Sequence, residues 1–281
     1  MSMPNRDGIA ELFAKAIDGG YAIPHINHSD FGDLYAIVDA ANEASTPIIA
    51  AGTLQTVAAL GLNKIAAVAN ILGKESDVPF VIHLDHCPDF DTCIQAIECG
   101  YNSVMIDGSD LPLDQNIELV KRVVDYAHPR GVFVEGEVGH VSRGSEDSWD
   151  ANVEDAVKLV TMTGVDSLAV SIGNEHGFYK TEPVLNFALL ARVHEALPEV
   201  PLVLHGGTGI PVESVQKAIK DGVRKVNVGT AVRCAYVAGI RDGIAEMGIE
   251  AHTQDIIAFA KGRVKEKVLG VIDMCWARNR V

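Results

Sequence analysis

Eight short aliphatic and β-branched runs punctuate this chain, and a longer amphipathic stretch separates each from the next. The runs are Tyr21–Ile26, Pro47–Ala51, Phe80–Leu84, Ser103–Ile106, Val132–Val138, Ser167–Ile172, Leu202–His205 and Lys225–Val228, with starts 23 to 35 residues apart. That interval is the size of one strand–helix unit. Continuous apolar pairs such as Val81-Ile82 and Val203-Leu204 suit parallel strands covered on both faces, since a strand with one wet face would alternate instead. Between the runs, Asp30–Glu43 carries Phe31, Leu34, Tyr35, Ile37 and Val38 in a helical pattern, and Leu113–Arg130, Asn152–Thr163 and Pro211–Lys220 read similarly. Asp114 or Asn152 is suited to cap a helix, and Pro211 to open one.

Strand and helix alternating eight times predict an α/β fold of the (β/α)8 or TIM-barrel type. An extra N-terminal helix (Gly8–Asp18) and two helices after the last strand (Ala231–Met247, Thr253–Trp276) account for the rest. The expected organisation is one domain over residues 1–281, with a C-terminal helical extension from about 248 to 281. The alternative, an open doubly wound sheet, would need an unusually wide sheet, and no G-x-G-x-x-G follows the first run.

Composition narrows the function classes. With 48% hydrophobic and 22% charged residues, a chain of 281 residues can bury a sizeable core without disulfides. Its five cysteines are odd in number and lack CxxC spacing, which predicts free thiols in a reducing cytoplasm. No apolar stretch has the length of a membrane span, and the first eight residues do not resemble a leader. A formal charge of −15 argues against nucleic acid or an anionic membrane as partner. It leaves room for a small anionic ligand held by a locally favourable site.

In a barrel the reactive groups collect where strands end. The third run is followed by Asp85-His86, and the fourth by Asp107-Gly108-Ser109. The fifth carries Glu135 and Glu137 on one face; the sixth leads to Asn174-Glu175-His176-Gly177. The seventh ends His205-Gly206-Gly207-Thr208-Gly209, and the eighth Asn227-Val228-Gly229-Thr230. Any single histidine here is more often an ordinary polar residue. His86, His176 and His205 together, delivered to one rim, match three imidazole ligands of a catalytic zinc ion with an open fourth position. The glycine-rich ends of the last three strands suit anion binding by backbone N–H groups at a helix start, against the plainer reading of tight strand–helix turns.

These residues resemble the class II, metal-dependent ketose-bisphosphate aldolases, the fructose- and tagatose-bisphosphate family. The shared stretches are His83-Leu84-Asp85-His86, Gly100 to Ser109, Val134-Glu135-Gly136-Glu137-Val138-Gly139, His176-Gly177-Phe178-Tyr179-Lys180, His205 to Gly209 and Asn227 to Thr230. The length resembles the shorter, tagatose-type branch. The resemblance implies reversible cleavage of a phosphorylated ketose to dihydroxyacetone phosphate and an aldehyde. His86, His176 and His205 would hold Zn2+, Asp85 would be the acid/base, and Asp107 and Glu137, with Glu135 a further candidate, would offer a second metal position. Asn27, Thr53, Gly177, Gly206, Gly207, Thr208, Asn227, Val228, Gly229 and Thr230 would contact the substrate. The resemblance also implies a monovalent cation (Na+ or K+) on the glycine-rich carbonyls and a homodimer or homotetramer. No lysine falls at the centre of a candidate strand, where Schiff-base chemistry would need one.

The chain also departs from that family. The family's loop glutamate, the base toward the donor carbon, falls at Ser145; Glu146 takes the role if the loop shifts by one residue, and otherwise Glu146 and Asp147 are solvated charges. The pattern Ala-Phe-Asn-Val-Asn-Asn becomes His25-Ile26-Asn27-His28-Ser29-Asp30, with only Asn27 kept, and Ala51-Gly52-Thr53 replaces a glutamine and a serine. His83 is equally suited to supporting the site or to core hydrogen bonding. The locally basic segment Lys261–Val281 is a solvated helix face or brings Arg278 or Arg280 to a distal phosphate. Two competing functions remain at this level: a metal-dependent hydrolase on the same barrel, and a catalytically silent aldolase-like subunit.

Overall fold

The computed structural model describes residues 3–139 and 151–281. Eight parallel strands close in sequence order into a barrel: β1 (Ile23–Asn27), β2 (Ile48–Thr53), β3 (Phe80–Cys87), β4 (Ser103–Ile106), β5 (Phe133–Val138), β6 (Ser167–Val170), β7 (Leu202–Leu204) and β8 (Val223–Val228). The helices are α1 (Arg6–Gly19), α2 (Phe31–Ala44), α3 (Leu54–Leu60), α4 (Leu62–Glu75), α5 (Phe90–Cys99), α6 (Leu113–Ala127), α7 (Val153–Thr163), α8 (Phe187–Ala196), α9 (Val212–Lys220), α10 (Thr230–Met247) and α11 (Thr253–Met274). Asn152 caps α7 by accepting from Asp155, as its position predicts; Asp114 caps nothing, because α6 starts after Pro112. Asp30 caps α2 reciprocally with Asp33, a capping box that sets the turn leaving β1.

The main apolar core lies between the strands and the helical ring, which is why the strands read as unbroken hydrophobic runs. Inside the barrel, Met105, Ala169 and Val203 form a small apolar cluster of their own. Beside it the interior is polar: His25, His83, Glu135 and Lys225 are each at most 1% exposed. Lys225 corrects one expectation. The eighth strand begins at Val223, so Lys225 is an interior strand residue, and its Nζ lies 2.6 Å from Glu135 Oε2. In that ion pair the ammonium is held by a carboxylate rather than presented to the cavity. Such a pair survives burial because each charge compensates the other.

The N-terminal end of the barrel is covered by α1, where Phe13 stacks on Phe133 at 5.3 Å and Arg6 reaches Asp166 at 2.8 Å. The C-terminal tail docks at the same end: the Asn279 and Arg280 amides donate to the Ala44 and Ser45 carbonyls. Arg278 pairs with Asp273, and the Arg280 guanidinium lies over Tyr21. Within one chain the tail therefore keeps both arginines at the end opposite the strand C-termini. Among the described residues no single helix is long and apolar enough to cross a membrane; α3 and α4 are apolar enough only as a pair bent by 93°.

Candidate active site and metal centre

The strand C-termini surround a cavity of about 540 Å³. Asp85 and His86 are consecutive, so a regular strand would send them to opposite faces. The β3–β4 register shifts between Leu84 and Cys87, and His86 adopts a left-handed backbone with φ +48°. This irregularity lets both side chains line the cavity. A non-glycine residue held there is strained, and such strain collects at functional sites.

His86 lies against the two other histidines, its ring centroid 4.6 Å from that of His176 and 4.5 Å from that of His205. One nitrogen from each of the three falls within 4.8 Å of the others. His86 Nδ1 is 2.8 Å from Asp107 Oδ2 and 3.7 Å from Glu137 Oε2, so these three form a second convergent set. The Asp107 carboxylate is fixed in turn by the Ser109 hydroxyl at 2.7 Å. Burial opposes charge on His86, but Asp85, Asp107 and Glu137 outweigh it and raise its pKa to about 10. The same three carboxylates give this corner of the cavity a negative field of the kind a divalent ion would answer. The buried His86 Nε2 has no hydrogen-bond partner, an orphan that a metal would satisfy. Both observations fit a divalent cation.

His205 Nε2 is 2.9 Å from Glu135 Oε1, and Asn227 Nδ2 lies 3.0 Å from Nδ1. Glu135 therefore sits below the metal candidates, orienting His205 while pairing with Lys225, rather than joining Asp107 and Glu137. A carboxylate behind a ligating imidazole is a recurrent means of fixing its ring. Burial, then the nearby His86, holds the His205 pKa well below the ordinary value, which favours the neutral ring.

Asp85 receives the Asn27 amide on Oδ2 at 2.7 Å, while the buried Oδ1 has no hydrogen-bond partner. Burial alone would raise its pKa, but His86, His205, Lys225 and the Asn27 hydrogen bond hold it below the usual carboxylate value. His83 bonds Ser103 Oγ through Nδ1 at 2.7 Å, one layer deeper, with its ring against His25.

Asn27, Thr53, Gly177, Gly206, Thr208, Asn227, Gly229 and Thr230 all line the same cavity. Gly206 must be glycine: its φ is +66°, and a Cβ would run into the Glu175 carbonyl. Gly207 and Val228 instead line an adjacent groove toward α10 and α11. The Gly207 amide donates to the Asn227 carbonyl at 2.9 Å and is not available to a ligand. Among the carbonyls of the glycine-rich strand ends, those of His205, Gly206 and Asn227 accept from Asn174, Tyr179 and Gly207 respectively. Glu146 lies outside the described residues. Sequence reasoning missed Gln55 and Arg233 on the cavity wall. Arg233 falls three residues after Thr230 at the start of α10, a spacing that could have flagged it.

A cluster of imidazoles that could hold a metal beside a buried carboxylate, on a closed parallel barrel, agrees with what known proteins show. The profile of the class-II fructose-bisphosphate aldolases matches residues 7–280, so the chain belongs to that family, whose members are carbon–carbon lyases acting on phosphorylated sugars. Among solved structures, the YdjI aldolase from Escherichia coli K12 is 30% identical, with 99% of this chain and 98% of that one covered and a TM-score of 0.87. A protein assigned as a fructose-1,6-bisphosphate aldolase from Coccidioides immitis is 26% identical over 98% and 97%, with a TM-score of 0.88. The fructose-bisphosphate aldolase of Campylobacter jejuni, 19% identical over 100% and 97%, shares the fold at a TM-score of 0.86.

Proposed function

We propose that this protein is a zinc-dependent aldolase that reversibly cleaves a phosphorylated ketose, of the fructose- or tagatose-1,6-bisphosphate kind, to dihydroxyacetone phosphate and an aldehyde. The observation that carries this reading is the meeting of three imidazoles, from the ends of three different strands, in one cavity with Asp85 and the glycine-rich strand ends. His86, His176 and His205 hold the metal in this proposal, with Asp107 and Glu137 a second position beside His86. Zinc, when bound, supplies Lewis acidity toward the oxygens of the ketose.

The chain's own groups do the rest. Backbone amides near Gly177, Gly206 and Gly229, with the Thr208 and Thr230 hydroxyls and the N-terminus of α10, grip the phosphate of the donor fragment. Asn227 completes that wall, while Asn27 and Thr53 line the same cavity beside Asp85. In cleavage, Asp85 takes the proton from the hydroxyl on the carbon that becomes the aldehyde, and returns it in condensation. Asn27 fixes the carboxylate through Oδ2 and leaves Oδ1 for that transfer. Glu146 is the candidate base toward the donor carbon. A cytoplasmic setting and a homodimeric or homotetrameric assembly belong to the same proposal.

The test is turnover of zinc-loaded protein on a panel of ketose mono- and bisphosphates, with dihydroxyacetone phosphate detected directly. Chelator-sensitive release from at least one member is the expected result. Release of inorganic phosphate without dihydroxyacetone phosphate would overturn the aldolase reading in favour of a hydrolase. No product of either kind from zinc-loaded protein would overturn it in favour of a silent subunit.

A further inference from the structure

His28, at the exit of β1, is 1% exposed and lines the cavity, yet neither ring nitrogen has a partner in good hydrogen-bond geometry, the Asp30 backbone giving the ring only a weak interaction. Burying an imidazole with its donor and acceptor both unmet is costly, and a ligand group that met them would remove that cost. The turn is held in place by its surroundings. Asp33 accepts from the Ser29 amide at 2.7 Å and the Asp30 amide at 3.0 Å. Thr56 Oγ1 donates to the His28 carbonyl at 3.1 Å and ties the turn to α3. Gly52 lies beside the ring, where a Cβ would come within 3.4 Å of Nε2.

Position around the barrel points to the fragment this residue meets. The glycine-rich ends follow β6, β7 and β8, and the phosphate of the donor fragment belongs with them. Asp85, Thr53 and His28 close β3, β2 and β1, three adjacent strands, and Thr53 is in register with Asp85. Asp85 marks the carbon that becomes the aldehyde, so the β1–β2 side receives the aldehyde portion. Burial pushes the His28 pKa down to about 4 against a weaker opposing pull from Asp30, so the ring is neutral near pH 7. A neutral imidazole offers one N–H and one lone pair. A hydroxyl matches both; a phosphate or carboxylate would set its negative charge against the lone pair.

We propose that His28 is a specificity-determining residue that hydrogen-bonds a hydroxyl of the aldehyde portion of the substrate. This rests on the aldolase reading above and adds to it the residue that reads the aldehyde. A site built to bond a hydroxyl rejects analogues lacking it far more strongly than an apolar wall does.

Two reactions of the zinc-loaded protein separate this inference from its premise. Exchange of the C3 proton of dihydroxyacetone phosphate with solvent needs only the donor half of the site. Condensation of dihydroxyacetone phosphate with glyceraldehyde, against 3-hydroxypropanal and lactaldehyde, reads recognition of each hydroxyl. Wild-type protein is expected to favour glyceraldehyde over one deoxy counterpart by at least about 100-fold in kcat/KM. His28→Val should bring that preference below about tenfold while proton exchange stays within about twofold of wild type. His28→Gln, which keeps a donor and an acceptor, should retain more of the preference than valine does. An undiminished preference in His28→Val, no preference in wild type, or exchange falling in step with condensation in both variants overturns the proposal. Absence of exchange in wild-type protein removes the aldolase premise itself, a result distinct from exchange without discrimination.

Discussion

Asp85 is the residue on which the proposed chemistry turns, and its surroundings are unusual for a carboxylate. It is 4% exposed, held on one oxygen by Asn27 and kept ionised by the cationic groups around it. Replacing Asp85 with asparagine keeps the shape but removes the proton acceptor. The expected outcome is a fall in kcat of about 10²- to 10⁴-fold, the usual worth of a positioned acid/base. Zinc content measured by elemental analysis should not change, because the three histidines remain. Unchanged turnover would reject the assignment of Asp85. At this scale much of the candidate site was legible in the sequence, because acids and histidines that follow an apolar run have few other reasons to be there. What was not legible depended on register. Lys225 looked like the first residue of its strand, and two more residues of pairing, from Val223, turned it into an interior ion-pair partner of Glu135. Gly207 looked like a phosphate contact, and its amide is taken by Asn227.

Among the elements, β3 shows why local irregularity matters. Alternation alone cannot send Asp85 and His86 into one cavity; the register shift and the positive φ of His86 do so. Nothing in the sequence around His83-Leu84-Asp85-His86 announces a bulge, since the residue in the left-handed conformation is not a glycine. The helices were visible from periodicity, but their packing partners were not. Gly239 in α10 shows the difference: a Cβ there would lie 2.6 Å from the Ala260 Cα in α11, so glycine permits the two helices to approach. Gly270 in α11 has nothing within 4 Å of its virtual Cβ. Gly239→Ala is therefore expected to destabilise the protein by about 1–3 kcal/mol through overpacking. Gly270→Ala is expected to stabilise it by about 0.4–1 kcal/mol, through a less flexible unfolded chain. Urea denaturation of both variants checks this, and equal effects of the same sign would contradict the packing described.

For the whole molecule, strand order was the most readable feature, since eight evenly spaced runs leave little choice but a closed parallel barrel. The barrel also explains how candidate ligands 119 residues apart in sequence, His86 and His205, meet without any local motif: they end β3 and β7 of one rim. The substrate's sugar was not readable, because diastereomers differ by one hydroxyl whose recognition depends on side-chain placement rather than residue type. A chain with a formal charge of −15 must bind an anionic sugar phosphate through the local field of one rim, to which Arg233 on the cavity wall and the proposed metal would contribute positive charge. The most direct measurement is to strip the protein with a chelator, confirm by elemental analysis that it is metal-free, and titrate zinc back while following dihydroxyacetone phosphate release from the best ketose phosphate. The expected result is no release from the metal-free protein, followed by a return that saturates once the three-histidine position is filled. Turnover that persists in protein free of metal would contradict it.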